Sequence, residues 1–204
     1  MIKASDVIPM FPTLVWKVEL ESAFHEAANV RMMIAIAAMR PQLAEGQGWQ
    51  SEQNLHEREG FRELVTPIRR AAGSVLRFLH IGYDALEITG CWANVLAPGA
   101  AHKMHSHPNN FLSGVYYVRT RPGADTINFH DPRVQASVIR PPVSELTSEN
   151  TDQVVVKVAE GTLLLFPAYL SHSVDANASE GERVTISFNL MFSAFTEHLS
   201  KPLW

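Results

Sequence analysis

The chain has 204 residues, of which 46% are hydrophobic and 19% charged: enough for one sizeable core, short for two, and ordinary for a globular protein. A net charge of −4 offers no basic surface for nucleic acid, and the single Cys91 excludes an internal disulfide framework and fits a reducing cytoplasm. The opening MIKASDVIPMFP has no basic start followed by a long apolar run, and the longest helical apolar stretch, Ile34 to Met39, is far too short to span a bilayer, so neither a signal peptide nor a membrane anchor is expected.

Residues 11–20, FPTLVWKVEL, alternate apolar and polar from Thr13 and predict a strand. Ser22 is placed to cap a helix that runs to about Arg40, where Pro41 stops it. That segment is rich in Ala, Met and Ile and is expected to be buried on most sides. Residues 41–60 are polar and contain glycine, and predict a loop, with Trp49 an expensive residue to leave there without a packing partner. Thr66 and Pro67 then read as N-cap and first residue of a second helix, with Ile68, Ala71, Val75 and Phe78/Leu79 inside and Arg69, Arg70 and Arg77 outside.

From Leu86 the pattern changes to strands, expected over 86–96, 112–119, 126–130, 134–139, 153–158, 162–166, 170–174 and 183–193. Turn signals separate them, among them Pro98-Gly99, Pro122-Gly123, Glu160-Gly161 and Glu180-Gly181. About eight short strands after two helices predict a mainly β chain, a double-stranded β-helix or cupin-like jelly roll with flanking helices. No repeat or linker divides the chain, so 1–204 reads as one domain: a strand and two supporting helices over 1–85, and the jelly-roll core over 86–204. The polar stretch 141–152, PPVSELTSENTD, reads as a loop that could cover a site.

Of nine histidines, five fall between His102 and His172. His105 and His107 are two apart, and on a strand such side chains share a face, which makes them a ready pair of metal ligands. A third ligand must come from a distant segment. His172 is the best candidate, since it follows the buried run LLLFPAYLSH. Three ligands on one side of an ion leave open positions, as catalytic metals need. His102 is a competing ligand within HKMHSH. Arg183 lies 11 residues past His172 and opens RVTISFN, whose alternation puts Arg183, Thr185, Ser187 and Asn189 on one face. An Arg and a Thr so placed can grip a carboxylate by charge-assisted hydrogen bonds.

The segments NVLAPGAAHKMHSHPNNFLSGVYYV, INFHDPR, EGTLLLFPAYLSHSV and RVTISFN, over roughly 92–192, together resemble the Fe(II)/2-oxoglutarate-dependent dioxygenases of the prolyl-hydroxylase-like branch, with weaker similarity at GWQSEQNL. More narrowly, they resemble a 2OG-Fe(II) oxygenase family of that superfamily whose substrates are unassigned. The resemblance implies Fe(II) on His105, His107 and His172, and 2-oxoglutarate as cosubstrate with its distal carboxylate on Arg183, assisted by Thr185. Tyr117 falls where related enzymes place a tyrosine near the cosubstrate, and Asn94 is on the strand before the first ligand. His107 departs from the pattern, because the superfamily usually has Asp or Glu there, and Asp131 in HDPR is an alternative carboxylate. The implied activity is hydroxylation of a small-molecule or peptide substrate, with no nucleic-acid or membrane partner. Short edge strands are compatible with a homodimer. Two other readings use the same histidines: a cupin-like three-His dioxygenase that needs no ketoacid, and a non-catalytic metal- or ligand-binding barrel.

Overall fold

The computed structural model describes residues 1–82, 85–133, 135 and 138–193. The elements run β1 (Trp16–Glu19), α1 (Ser22–Met39), β2 (Gly48–Gln50), α2 (Arg62–Phe78), β3 (Leu86–Leu96), β4 (His102–His105), β5 (Leu112–Arg119), β6 (Thr126–His130), β7 (Gln153–Lys157), β8 (Thr162–Pro167), β9 (His172–Val174) and β10 (Arg183–Phe192). The strands form two antiparallel sheets, one of six in the order β1-β8-β5-β10-β3-β2 and one of four in the order β4-β9-β6-β7. The architecture is therefore mainly β, with the two helices outside the larger sheet.

Alternation along β10, the strand between β5 and β3, builds both layers. Val184, Ile186, Phe188 and Leu190 enter the core shared with α1 and α2, while Arg183, Thr185, Ser187 and Asn189 face the opposite way and line a cavity between the sheets. β3 repeats the division: Cys91, Ala93 and Val95 pack under the helices, and Trp92 and Asn94 line the cavity. In β5 Tyr116 points toward the helices and its hydroxyl donates to Asn29 Oδ1 at 2.6 Å, whereas Tyr117 points between the sheets. Leu96, Val115, Leu164 and Phe166 of the larger sheet pack there against Ile127, Phe129 and Val174 of the smaller one. Each such buried side chain contributes about 1.5–3 kcal/mol. Gly114 makes room for Phe188 in the helix-side core, since a Cβ there would collide with the Phe188 ring and lie 2.6 Å from the Leu164 carbonyl oxygen.

Several expectations are corrected. α1 buries one stripe, Ala28, Met32 and Ile36, and its other face is open, with Val30 61% and Ile34 67% exposed. α2 starts at Arg62, after short 3-10 turns at Leu55–Glu57 and Glu59–Phe61, so Pro67 lies inside the helix and Thr66 is not its cap. The apolar stripe extends back to Leu64, four residues before Ile68, and Phe78 and Leu79 are exposed. Trp49 sits in β2, not in a loop, and packs against the helix-side core. The strand expected over 134–139 lies partly outside the described residues, at 134, 136 and 137, and residues 138 and 139 are irregular. Among the described residues no helix is long and apolar enough to cross a membrane.

Candidate metal centre

β4 and β9 are antiparallel neighbours, and His105 and His172 are directly opposed in their register. Cross-strand partners project to the same face, which brings the two ring centroids to 4.4 Å. His107 lies just past the end of β4, where its backbone N–H donates to the Ala168 carbonyl at 2.9 Å. Its ring is 5.1 Å from that of His105 and 5.2 Å from that of His172. Each of the three imidazoles offers a nitrogen within 4.8 Å of the others, a spacing suited to one ion.

The tautomers suit ligation. Nδ1 of His105 faces the Lys103 carbonyl oxygen at 2.7 Å and Nδ1 of His172 faces that of Leu170 at 3.0 Å. Both Nδ1 atoms therefore carry the proton and donate it, leaving the Nε2 lone pairs free and the rings oriented. Burial holds His107 and His172 down to a pKa of about 4; the His105 charge adds to the effect at His107, and the Leu170 carbonyl partly opposes it at His172. Both rings are therefore neutral, as ligands must be, at neutral pH. His102 also lines the cavity, but its ring centroid is 6.2 Å from that of His105 and it is not part of the three-residue group.

Arg183, Thr185 and Asn94 border the same space, with Tyr117 buried beside Arg183. Thr185 lies between Asn94 of β3 and Tyr117 of β5 in the strand register, so the three side chains make a row across three strands, and Arg183 follows two residues along the same face. Arg183 is 3% exposed, with its guanidinium carbon 5.2 Å from the Tyr117 ring centroid. Nη2 makes one long bond, 3.4 Å, to the Thr126 carbonyl, and Nε has no hydrogen-bond partner among the described residues. No carboxylate pairs with this cation among those residues, and burial pushes its pKa down. The Tyr117 hydroxyl is pushed up to about 12 by burial, against the pull of Arg183, yet makes no hydrogen bond of ordinary geometry among the described residues. Asn94 Nδ2 donates to Ser187 Oγ at 2.9 Å, and its Oδ1 has no partner among the described residues. Buried polar atoms left without partners are costly, and Arg183 and Asn94, which carry two of them, border one cavity.

That cavity holds about 450 Å³ and is bounded by the triad at β4 and β9, Trp92 and Phe166, Arg183 and Thr185 on β10, and Gln50 and Gln53 from the segment beside β2. Among the described residues no Asp or Glu lines it. Asp131, the alternative carboxylate, is held away by Arg133, whose Nη2 and Nε reach it at 2.8 and 3.0 Å, and it lines a different cavity. The 141–152 loop faces that other cavity too, through Ser148, Glu149, Thr151 and Asp152, so it does not cover the histidines. Gln53 and Trp92 are wall residues that the ligand pattern alone does not single out; Trp92 is betrayed only by sharing a face with Asn94.

The fold and the three-histidine centre define a jelly roll with a site able to hold one metal ion. Residues 90–189 match the model of the family described as "Putative 2OG-Fe(II) oxygenase". Iron(II) and 2-oxoglutarate are the cofactors that this family's description names. The α-ketoglutarate-dependent epimerase SnoN of nogalamycin biosynthesis shares the fold at a TM-score of 0.65 and 13% identity, over 88% of this chain and 79% of that one. A prolyl-4-hydroxylase from Pseudomonas putida does so at 0.60 and 14%, over 89% and 94%. HygX from Streptomyces hygroscopicus, solved with nickel and 2-oxoglutarate bound, does so at 0.60 and 12%, over 89% and 83%. No curated protein matches the chain in sequence. The family match spans just under half of the chain, and the solved structures show the shared fold.

Proposed function

We propose that this chain is an Fe(II)- and 2-oxoglutarate-dependent oxygenase, of the prolyl-hydroxylase-like branch, that hydroxylates a small-molecule or peptide substrate in the cytoplasm. One observation carries the reading: Arg183, buried and without a carboxylate partner among the described residues, lies in the same cavity as three histidines whose free nitrogens converge. A buried cation is expensive unless an anion meets it, and a ketoacid with a second carboxylate answers both features.

His105, His107 and His172 would hold the iron, which with 2-oxoglutarate and O2 supplies the chemistry of oxidative decarboxylation to succinate coupled to C–H hydroxylation. The chain positions these partners. The Lys103 and Leu170 carbonyls fix the rings of His105 and His172. Arg183 binds the distal carboxylate, the Thr185 and Tyr117 hydroxyls donate to it, and Asn94 orders the same wall through Ser187. Trp92, Val115, Ile127 and Phe166 keep the remainder of the cavity apolar and limit water.

A three-histidine dioxygenase acting directly on its substrate needs no carboxylate clamp, and Arg183 disfavours it. A closed zinc site needs a fourth ligand, and His102 stands apart from the triad. The test is succinate formation from 2-oxoglutarate by iron-loaded protein under air. Slow turnover without substrate is expected, lost in Arg183→Met. No succinate from protein with iron demonstrably bound, at any substrate tried, would move the assignment to the direct dioxygenase.

A further inference from the structure

We infer that the substrate of this site is a small organic anion, an inference that rests on the oxygenase reading above. The argument is one of charge. Imidazoles are neutral ligands, so a divalent ion on His105, His107 and His172 keeps both its positive charges, and Arg183 adds a third. The two carboxylates of 2-oxoglutarate cancel two of these. One positive charge is left over in a cavity that no Asp or Glu among the described residues lines. A site with an aspartate where His107 stands would be neutral at this point. Lys103, on the strand that carries His105, is a further cation among the residues bounding the cavity, and its carbonyl holds His105.

The rest of the wall is compatible with an acid and hostile to a cation. Gln50, Gln53 and Asn189 bring amide groups that can donate N–H bonds without negative charge, and Trp92 offers a flat apolar surface beside His107, their ring centroids 5.7 Å apart. At about 450 Å³ for cosubstrate and substrate together, the space suits a small molecule. The positive residue acts across a cavity partly shielded from water, where one unit charge is worth about tenfold or more in affinity.

The experiment uses acids and their uncharged amides as probes: acetate and acetamide, hexanoate and hexanamide, benzoate and benzamide. Each is titrated anaerobically into iron-loaded protein saturated with 2-oxoglutarate, with binding followed by calorimetry and by the visible charge-transfer band of the ketoacid. At least one acid should bind about tenfold or more tightly than its amide, shifting the band without removing it. Lys103→Gln and His107→Asp should each reduce that preference, the second because it removes the surplus charge at its source. No acid preferred over its amide, or a band lost because the acid competes at Arg183, would overturn the inference and leave the oxygenase reading standing. A band that never forms would overturn both.

Discussion

Arg183→Met separates the cost of the clamp from its use. Methionine keeps much of the aliphatic volume and removes a cation that is 3% exposed, makes one long hydrogen bond and has no carboxylate partner among the described residues. Removing one member of a buried charge pair costs about 2–5 kcal/mol of binding, so 2-oxoglutarate affinity should fall about 30- to 4,000-fold. Metal content should not change, because Arg183 is outside the triad. The ligand-free protein should move the other way. Replacing buried charge by apolar volume is neutral or stabilising by about 1–4 kcal/mol, and in a chain of this size 1 kcal/mol moves Tm by about 2–4 °C. Calorimetric titration with 2-oxoglutarate and thermal melts of metal-free protein read the two effects. A variant that melts several degrees lower and binds the ketoacid as before would refute the reasoning, by making Arg183 a structural residue.

Other outcomes follow from the same geometry. His172→Ala should weaken iron(II) binding by more than the about 10- to 100-fold that outer partners of a ligand command, measured by metal analysis after dialysis; unchanged metal content would remove His172 from the triad. His102, His107 and His172 are held down to about 4, chiefly by burial, against an ordinary value of 6.5. As pH falls from 6.5 toward 4 the unfolded chain therefore takes up protons that the folded one refuses, so metal-free protein should lose stability across that window and keep it above. Melts between pH 7.5 and 4.5 check this, and the slope should lessen in His102→Asn; an unchanged slope would show the ring to be unshifted. Gly114→Ala should destabilise by about 1–3 kcal/mol, because the added methyl meets the Phe188 ring and the Leu164 carbonyl; a melt equal to the parent protein would show that this packing yields.

Where residues bury an apolar face, the sequence already shows the fold. β3, β5 and β6 fall on the expected 86–96, 112–119 and 126–130, and β10 ends one residue short of the expected 193. The alternation of RVTISFN alone puts Arg183, Thr185, Ser187 and Asn189 on one face, and all four line one cavity. The elements that escaped notice are those whose inward face is the site. β4 is His-Lys-Met-His, with a register irregularity and no buried residue, so it has no apolar alternation to detect. β2 is three residues long at a sheet edge. The start of α2 was obscured because Pro67 usually marks a first turn, and here the stripe through Leu64 outweighs it. The placement of 141–152 over the second cavity depends on how β6 and β7 pair, which a polar loop sequence does not encode. The triad was findable because a two-residue histidine spacing survives even where the strand stops between its members.

The central claim, that a ketoacid bridges the three histidines and Arg183, is tested most directly by anaerobic titration of iron-loaded protein with 2-oxoglutarate, watching the visible metal-to-ligand charge-transfer band. The account predicts a band that saturates near one equivalent and is absent at the same concentrations in Arg183→Met. Iron demonstrably bound with no band in the parent protein, or a band that Arg183→Met leaves unaltered, would contradict it.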